Sequence, residues 1–156
     1  MSVLLNALGP ADGVRMTVPF VLGALLVSAG GIIRFSCFQK LGPYFTFVQC
    51  IHKDHRLITT GPYAVVRHPG YAGLLMSIIG WGVMQASPGS WLRTSGILNV
   101  PWVRVTVACW YLIVGVATVT VYSRATEEDQ FLSERFGKEW QDWARRVRYK
   151  LVPFVY

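Results

Sequence analysis

Three stretches of the chain are free of charge and almost continuously apolar: Met16–Ile33 with 18 residues, Pro69–Leu92 with 24 and Val105–Ser123 with 19. A helix rises about 1.5 Å per residue and the hydrocarbon core of a bilayer is about 30 Å thick, so each stretch crosses or nearly crosses it. Inside lipid a single segment satisfies all its backbone groups only as a helix. The pattern predicts an all-α integral membrane protein with about three transmembrane helices, over about residues 16–33, 69–90 and 103–123. Pro19 stands near the start of the first span, and Ser87-Pro88-Gly89 closes the second, both as helix-end signals.

The polar positions organise the rest. Leu41–Ile51 is apolar and aromatic but too short to cross, which predicts an interfacial segment with Tyr44, Phe45 and Phe47 at headgroup level. Thr59-Thr60-Gly61-Pro62 is turn chemistry. Residues 124–156 read as a cytoplasmic tail. Its first helix continues the third span and stops near Gly137, a usual residue just past a helix end. A second, amphipathic helix carries Trp140, Trp143 and Val147 on one side and is ended by Pro153. Residues 1–156 form one membrane-embedded domain on this reading, without repeats or low-complexity tracts.

Composition agrees with the pattern. Hydrophobic residues make up 53% of the chain and charged residues 15%, against about 25% charged in a soluble domain. The net charge of +7 suits an acidic membrane surface or an anionic ligand. Nucleic acid is not an expected partner, because no basic stripe is interleaved with aromatics in a polar domain. Arg34, Lys40, Lys53, Arg56 and Arg67 lie between the first two spans, and Arg124, Arg135, Lys138, Arg145, Arg146, Arg148 and Lys150 follow the third. Only Arg15, Arg93 and Arg104 remain for the other side. The positive-inside tendency makes the middle segment and the C-terminus cytoplasmic, so both meet at one membrane face. Cys37, Cys50 and Cys109 have neither metal nor redox spacing. Met1–Gly13 lacks the basic region of a cleavable signal, and no lipidation box ends the chain.

Two constellations at that face could carry chemistry. In Arg67-His68-Pro69-Gly70-Tyr71, proline suits a first helical turn and pushes His68 out of the α region. The helix start and Arg67 together would suit an anion such as a carboxylate. An interfacial belt of anchoring residues explains the same group equally well. Arg124 and Glu128 stand at i and i+4 on a helix, with Glu127 beside them. They could hold a carboxylate and an ammonium, or simply pair with each other on a solvated turn. His52 and His55 lack a third ligand at a suggestive spacing, and no metal is expected. Neither a phosphate-binding glycine motif nor a nucleophile elbow is present.

Taken together, His55-x-Leu57-x-Thr59-x-Gly61-Pro62-Tyr63, Arg67-His68-Pro69-x-Tyr71, Arg124-x-x-Glu127-Glu128, Phe136-Gly137-x-x-Trp140-x-x-Trp143 and Pro153-Phe154 resemble the isoprenylcysteine carboxyl methyltransferases, relatives of the phospholipid methyltransferases. The likeness runs from about Leu41 to the C-terminus. It implies a multi-pass protein of the endoplasmic reticulum membrane that uses S-adenosylmethionine (S-adenosyl-L-methionine). The substrate would be the C-terminal carboxylate of a farnesyl- or geranylgeranyl-cysteine in proteins of the CaaX type, entering from the bilayer. By position, His55, Arg56, Leu57, Ile58, Tyr63, His68, Pro69, Gly70, Tyr71 and Glu128 would line the cofactor, with Glu127 adjacent. Arg124 would bind the substrate carboxylate with the help of Arg67. A carboxylate is ionised at neutral pH and attacks a sulfonium methyl without a general base, so the protein need only align the reactants and exclude water.

The chain departs from the family in three ways. Members have further transmembrane helices ahead of the first span, Gly70 replaces a small polar residue, and tryptophans replace tyrosines in the tail. Three alternatives stay open: a methyltransferase for phospholipid amines, an NADPH-dependent protein like the sterol reductases, which share Arg-His-Pro-x-Tyr, and an inactive truncated homologue.

Overall fold

The computed structural model describes residues 13–42 and 56–154. Among these the chain is helical and has no strand. Its longer helices are α1 (Val18–Leu41), α2 (Pro69–Ala86), α3 (Pro101–Phe136) and α4 (Lys138–Arg146). Single helical turns stand at Gly61–Ala64, Trp91–Thr94 and Ile97–Asn99.

Two helices, α1 with 24 residues and α3 with 36, are long and apolar enough to cross a bilayer. In the most apolar 18-residue stretch of each, 11% and 6% of the positions are buried. The core helix of a water-soluble protein would show the reverse. Leu25, Ile32, Leu112, Ile113 and Val119 all lie open on these helices, a surface matched by hydrocarbon rather than water. α1 begins close to the expected position, with Pro19 in its first turn, but runs through Arg34 and Lys40 to Leu41 instead of stopping at Ile33. α2 is a helix as expected, yet ends at Ala86, four residues early. Its 18 residues include Pro69, Gly70, Tyr71 and Gln85 but no charged side chain. The expected interfacial segment falls almost wholly outside the described residues, with Tyr44, Phe45, Phe47, Cys50, His52 and His55.

The chain divides into two compact units. One comprises residues 1–29 and 76–118. In it the backbones of α1 and α2 touch at paired glycines: a Cβ on Gly23 would lie 2.6 Å from the Gly80 carbonyl oxygen, and one on Gly80 2.6 Å from that of Gly23. Larger residues are excluded at both places. The end of α2 is finished by side chains, Ser90 Oγ donating to the Gln85 carbonyl at 2.7 Å and Arg93 Nη1 to that of Ala86 at 3.0 Å. This local capping is why the helix stops where it does. Trp81 and Trp110 meet at 4.3 Å between ring centroids, with Tyr111 edge-on to Trp110, beside an apolar groove of about 190 Å³.

The other unit comprises residues 30–75 and 119–156 and holds most of the buried side chains. Gly73 packs against the Gly30 carbonyl, where a Cβ would come within 2.6 Å. Cys37, Val66, Val121, Ala125, Trp143, Val147 and Leu151 form its core. α3 stops at Phe136 ahead of Gly137, whose φ of +51° favours glycine, as the tail pattern predicts. α4 is amphipathic and buries Trp143. It ends at Arg146, not at Pro153. The carbonyls of Tyr149 and Lys150 are instead taken by the amides of Arg67 and His68, both at 2.9 Å, which holds that stretch out of a helix.

Candidate functional site

The second unit assembles the sequence constellations around one buried carboxylate. The peptide preceding proline is extended, and here its two amides pair with the tail, so Arg67 and His68 are fixed by main chain before any side chain acts. α2 then starts at Pro69, which is fully buried, with the Ala72 amide donating to the His68 carbonyl. Gly70 offers its carbonyl to Arg34 Nη1 at 3.2 Å.

His68 is buried, and its Nε2 lies 2.9 Å from Asp129 Oδ1. Asp129 Oδ2 lies 3.3 Å from Arg67 Nη2 and 3.7 Å from Lys150 Nζ. Lys150 also donates to Thr126 Oγ1. Arg67 further covers the ring of Trp140, 5.8 Å from its centroid. One carboxylate thus gathers the Arg-His-Pro motif, the exit of α3 and the C-terminal segment. A buried charge is tolerated only with such partners.

On the other edge of His68, its Nδ1 lies 3.8 Å from Glu128 Oε2. The Tyr71 hydroxyl is in hydrogen-bonding contact with Glu128 and with Arg124. The i and i+4 spacing of Arg124 and Glu128 on α3 brings both to that one hydroxyl, as their shared face requires. The Glu128 side chain keeps 35% of its surface open, and Arg124 is exposed. Tyr63 stands in the helical turn at Gly61, whose φ is +64°, and its carbonyl accepts from Trp143 Nε1 at 3.2 Å. Burial first, and then the Cys37 thiol and Glu128, push the Tyr63 phenol well above its ordinary pKa, so it is a neutral group in the site.

Of the expected site residues, Tyr63, Arg67, His68, Pro69, Tyr71, Arg124 and Glu128 come together in this way. Glu127 is exposed on α3. Arg56 is exposed, and Leu57 and Ile58 are half-buried, just before the Gly61 turn; His55 lies outside the described residues. Sequence reading missed Asp129 and Lys150. The signal for Asp129 was its phase: it falls four residues after Ala125 and eight after Val121, on the buried stripe of α3.

Compared with known proteins, residues 18–108 match the model of the family described as phospholipid methyltransferase. The chain belongs to the phospholipid methyltransferase family. The "Probable protein-S-isoprenylcysteine O-methyltransferase" of Oryza sativa subsp. indica is 33% identical over 136 residues, 86% of this chain and 61% of that protein. Protein-S-isoprenylcysteine O-methyltransferase B of Arabidopsis thaliana is 27% identical over 135 residues, covering 85% and 58%. The chain therefore spans about three fifths of the length of these relatives. A Delta(14)-sterol reductase of Mus musculus is 25% identical over 101 residues, 65% of this chain but 20% of that protein. No solved structure matches. The resemblance drawn from the motifs is thus borne out at the level of the family.

Proposed function

We propose that this chain is an S-adenosylmethionine-dependent methyltransferase that esterifies the C-terminal carboxylate of prenylated cysteine at the cytoplasmic face of the endoplasmic reticulum membrane. The observation that carries the reading is the pairing of Arg124 and Glu128 on one tyrosine hydroxyl: a cation and a half-open carboxylate side by side. The relatives named for isoprenylcysteine methylation support the acceptor.

The residues fit the proposed methyl donor. Glu128, with Tyr71 and the free edge of His68 beside it, suits an ammonium group; Tyr63 and the 56–58 segment would complete the lining with His55. When bound, S-adenosylmethionine supplies an electrophilic methyl group on a sulfonium centre. The acceptor carboxylate is already ionised at neutral pH, so no side chain must remove a proton. Arg124 orients that carboxylate through a charge-assisted hydrogen bond, and Arg67 strengthens the local positive field. Tyr71 holds Arg124 and Glu128 in register, which would keep the acceptor and donor sites adjacent. On this reading α2 is a third membrane crossing beside α1 and α3, residues 124–156 are cytoplasmic, and the prenyl chain of a CaaX-type protein reaches the site through the bilayer.

The family match favours a second reading, methyl transfer to the amine of a phospholipid headgroup. Membranes containing the chain, given radiolabelled S-adenosylmethionine with N-acetyl-S-farnesylcysteine or with phosphatidylethanolamine, separate the two. Base-labile label on the farnesylcysteine is the expected result. Base-stable label on the phospholipid alone would replace the first reading with the second.

A further inference from the structure

We infer that the groove beside Trp81 and Trp110 is a binding site for a phospholipid of the bilayer, its acyl chain lying on the rings and its phosphate on Arg104. The inference rests on α2 being a membrane crossing, as proposed above, and concerns a site apart from methyl transfer.

The groove is lined by Trp81 and Gln85 of α2, by Leu92, and by Val107, Trp110 and Tyr111 of α3. All of them belong to the first unit. Trp81 and Gln85 stand at i and i+4, as do Val107 and Tyr111, so each helix gives one face to it. A gap beside packed rings forfeits dispersion contacts unless something fills it, and in a bilayer the filler is a hydrocarbon chain. Thr106, also in the lining, spends its hydroxyl on the Trp102 carbonyl at 3.0 Å and asks nothing of an apolar occupant. At about 190 Å³ the space is smaller than the roughly 300 Å³ at which pockets begin to enclose a whole drug-sized ligand. That size fits one flexible chain better than a fused ring system.

Charge says which chain. Arg104 precedes Val107 by three residues and Tyr111 by seven, so it stands on the groove's face of α3, one turn before the lining begins. Arg93 follows Leu92, and its Nη1 donates to the Ala86 carbonyl at 3.0 Å, which holds the guanidinium at the end of α2. Both arginines are exposed. No Asp or Glu occurs among residues 55–126, so neither α2 nor the first half of α3 supplies an acid to answer them. A phosphodiester does. Trp91 and Trp102, 49% and 61% exposed, flank the two cations as tryptophan does where a bilayer meets water. Phosphate at Arg104 and chain on the rings follow the order of a phospholipid set along a membrane helix.

The occupant is not the proposed acceptor. Along α3, Trp110 precedes Arg124 by 14 residues, about 21 Å of helix, and Arg104 lies beyond the opposite end of the groove. A prenyl chain hung from Arg124 would bring no anion to Arg104.

The test is photolabelling in vesicles of phosphatidylcholine, doped with a phosphatidylcholine that carries a photoreactive group in its acyl chain, with adducts mapped by peptide mass spectrometry. Adducts should concentrate on Trp81, Val107 and Tyr111 over Leu112, Ile113 and Val119, which are apolar and open on α3. Arg104→Gln should lower the groove adducts about fivefold, the share of one arginine at a lipid surface, and leave those on Leu112 unchanged. Even labelling of groove and open positions, unmoved by Arg104→Gln, would mean ordinary surrounding lipid and overturn the site. Groove adducts displaced by N-acetyl-S-farnesylcysteine would overturn the phospholipid and assign the groove to the acceptor chain. Adducts on α3 with none on α2 would bring down α2 as a crossing, and the site with it.

Discussion

The two units of the chain solve opposite problems. The unit of residues 1–29 and 76–118 has few buried side chains, and its helices meet through glycine backbones while leucine, isoleucine and tryptophan face outward. The unit of residues 30–75 and 119–156 buries tryptophan, valine and histidine around an aspartate with three positively charged or ring-nitrogen partners. When the solvent is hydrocarbon, exposing apolar side chains is neutral and close backbone contact supplies the attraction. Where the chain meets water and handles ions, burial and charge pairing must hold the fold. The difference teaches where chemistry can reside: among the described residues the buried ionisable side chains His68 and Asp129 both lie in the second unit, while the buried polar groups of the first are serines.

Four substitutions break or sharpen that contrast. Asp129→Ala should cost the most, about 3–5 kcal/mol, because it strands Arg67 and Lys150 without their carboxylate; thermal unfolding in micelles measures it. Leu112→Arg, at an open position of α3, should cost about 3 kcal/mol of membrane insertion while removing no packing. A translocon insertion assay reads it, and an unchanged result would mean that this surface does not face lipid. Gly80→Val should cost about 1–3 kcal/mol by forcing α1 and α2 apart, seen as a lower unfolding temperature. Arg145→Ala removes only the exposed pair with Asp142, whose Arg145 side chain is 76% open, and should change stability by less than about 0.5 kcal/mol.

Much of this was legible in the sequence because it rests on local rules. Charge-free runs located the long helices, proline and serine marked the ends of α2, and Gly137 marked the break after α3. The spacing of Arg124 and Glu128 placed them on one face. What escaped depended on contacts far apart in the chain. Asp129 reads as one more acid on a charged tail until its phase with Val121 and Ala125 is noticed. The end of α4 escaped because the amides of Arg67 and His68, some 80 positions away, pair with the carbonyls of Tyr149 and Lys150 and tie that stretch to the start of α2. Arg67 looked free to meet a substrate; pairing with Asp129 and Trp140 makes it part of the frame as well.

The most direct test of the central claim is the rate of methyl ester formation on N-acetyl-S-farnesylcysteine for the wild type, Arg124→Ala and Glu128→Ala, each checked for folding. The account predicts base-labile label from the wild type. It also predicts a loss of about thirtyfold or more in both variants, since each removes a charged partner worth about 2–5 kcal/mol. Arg124→Ala should raise KM for the acceptor, and Glu128→Ala KM for S-adenosylmethionine. Undiminished ester formation by either folded variant would contradict the site.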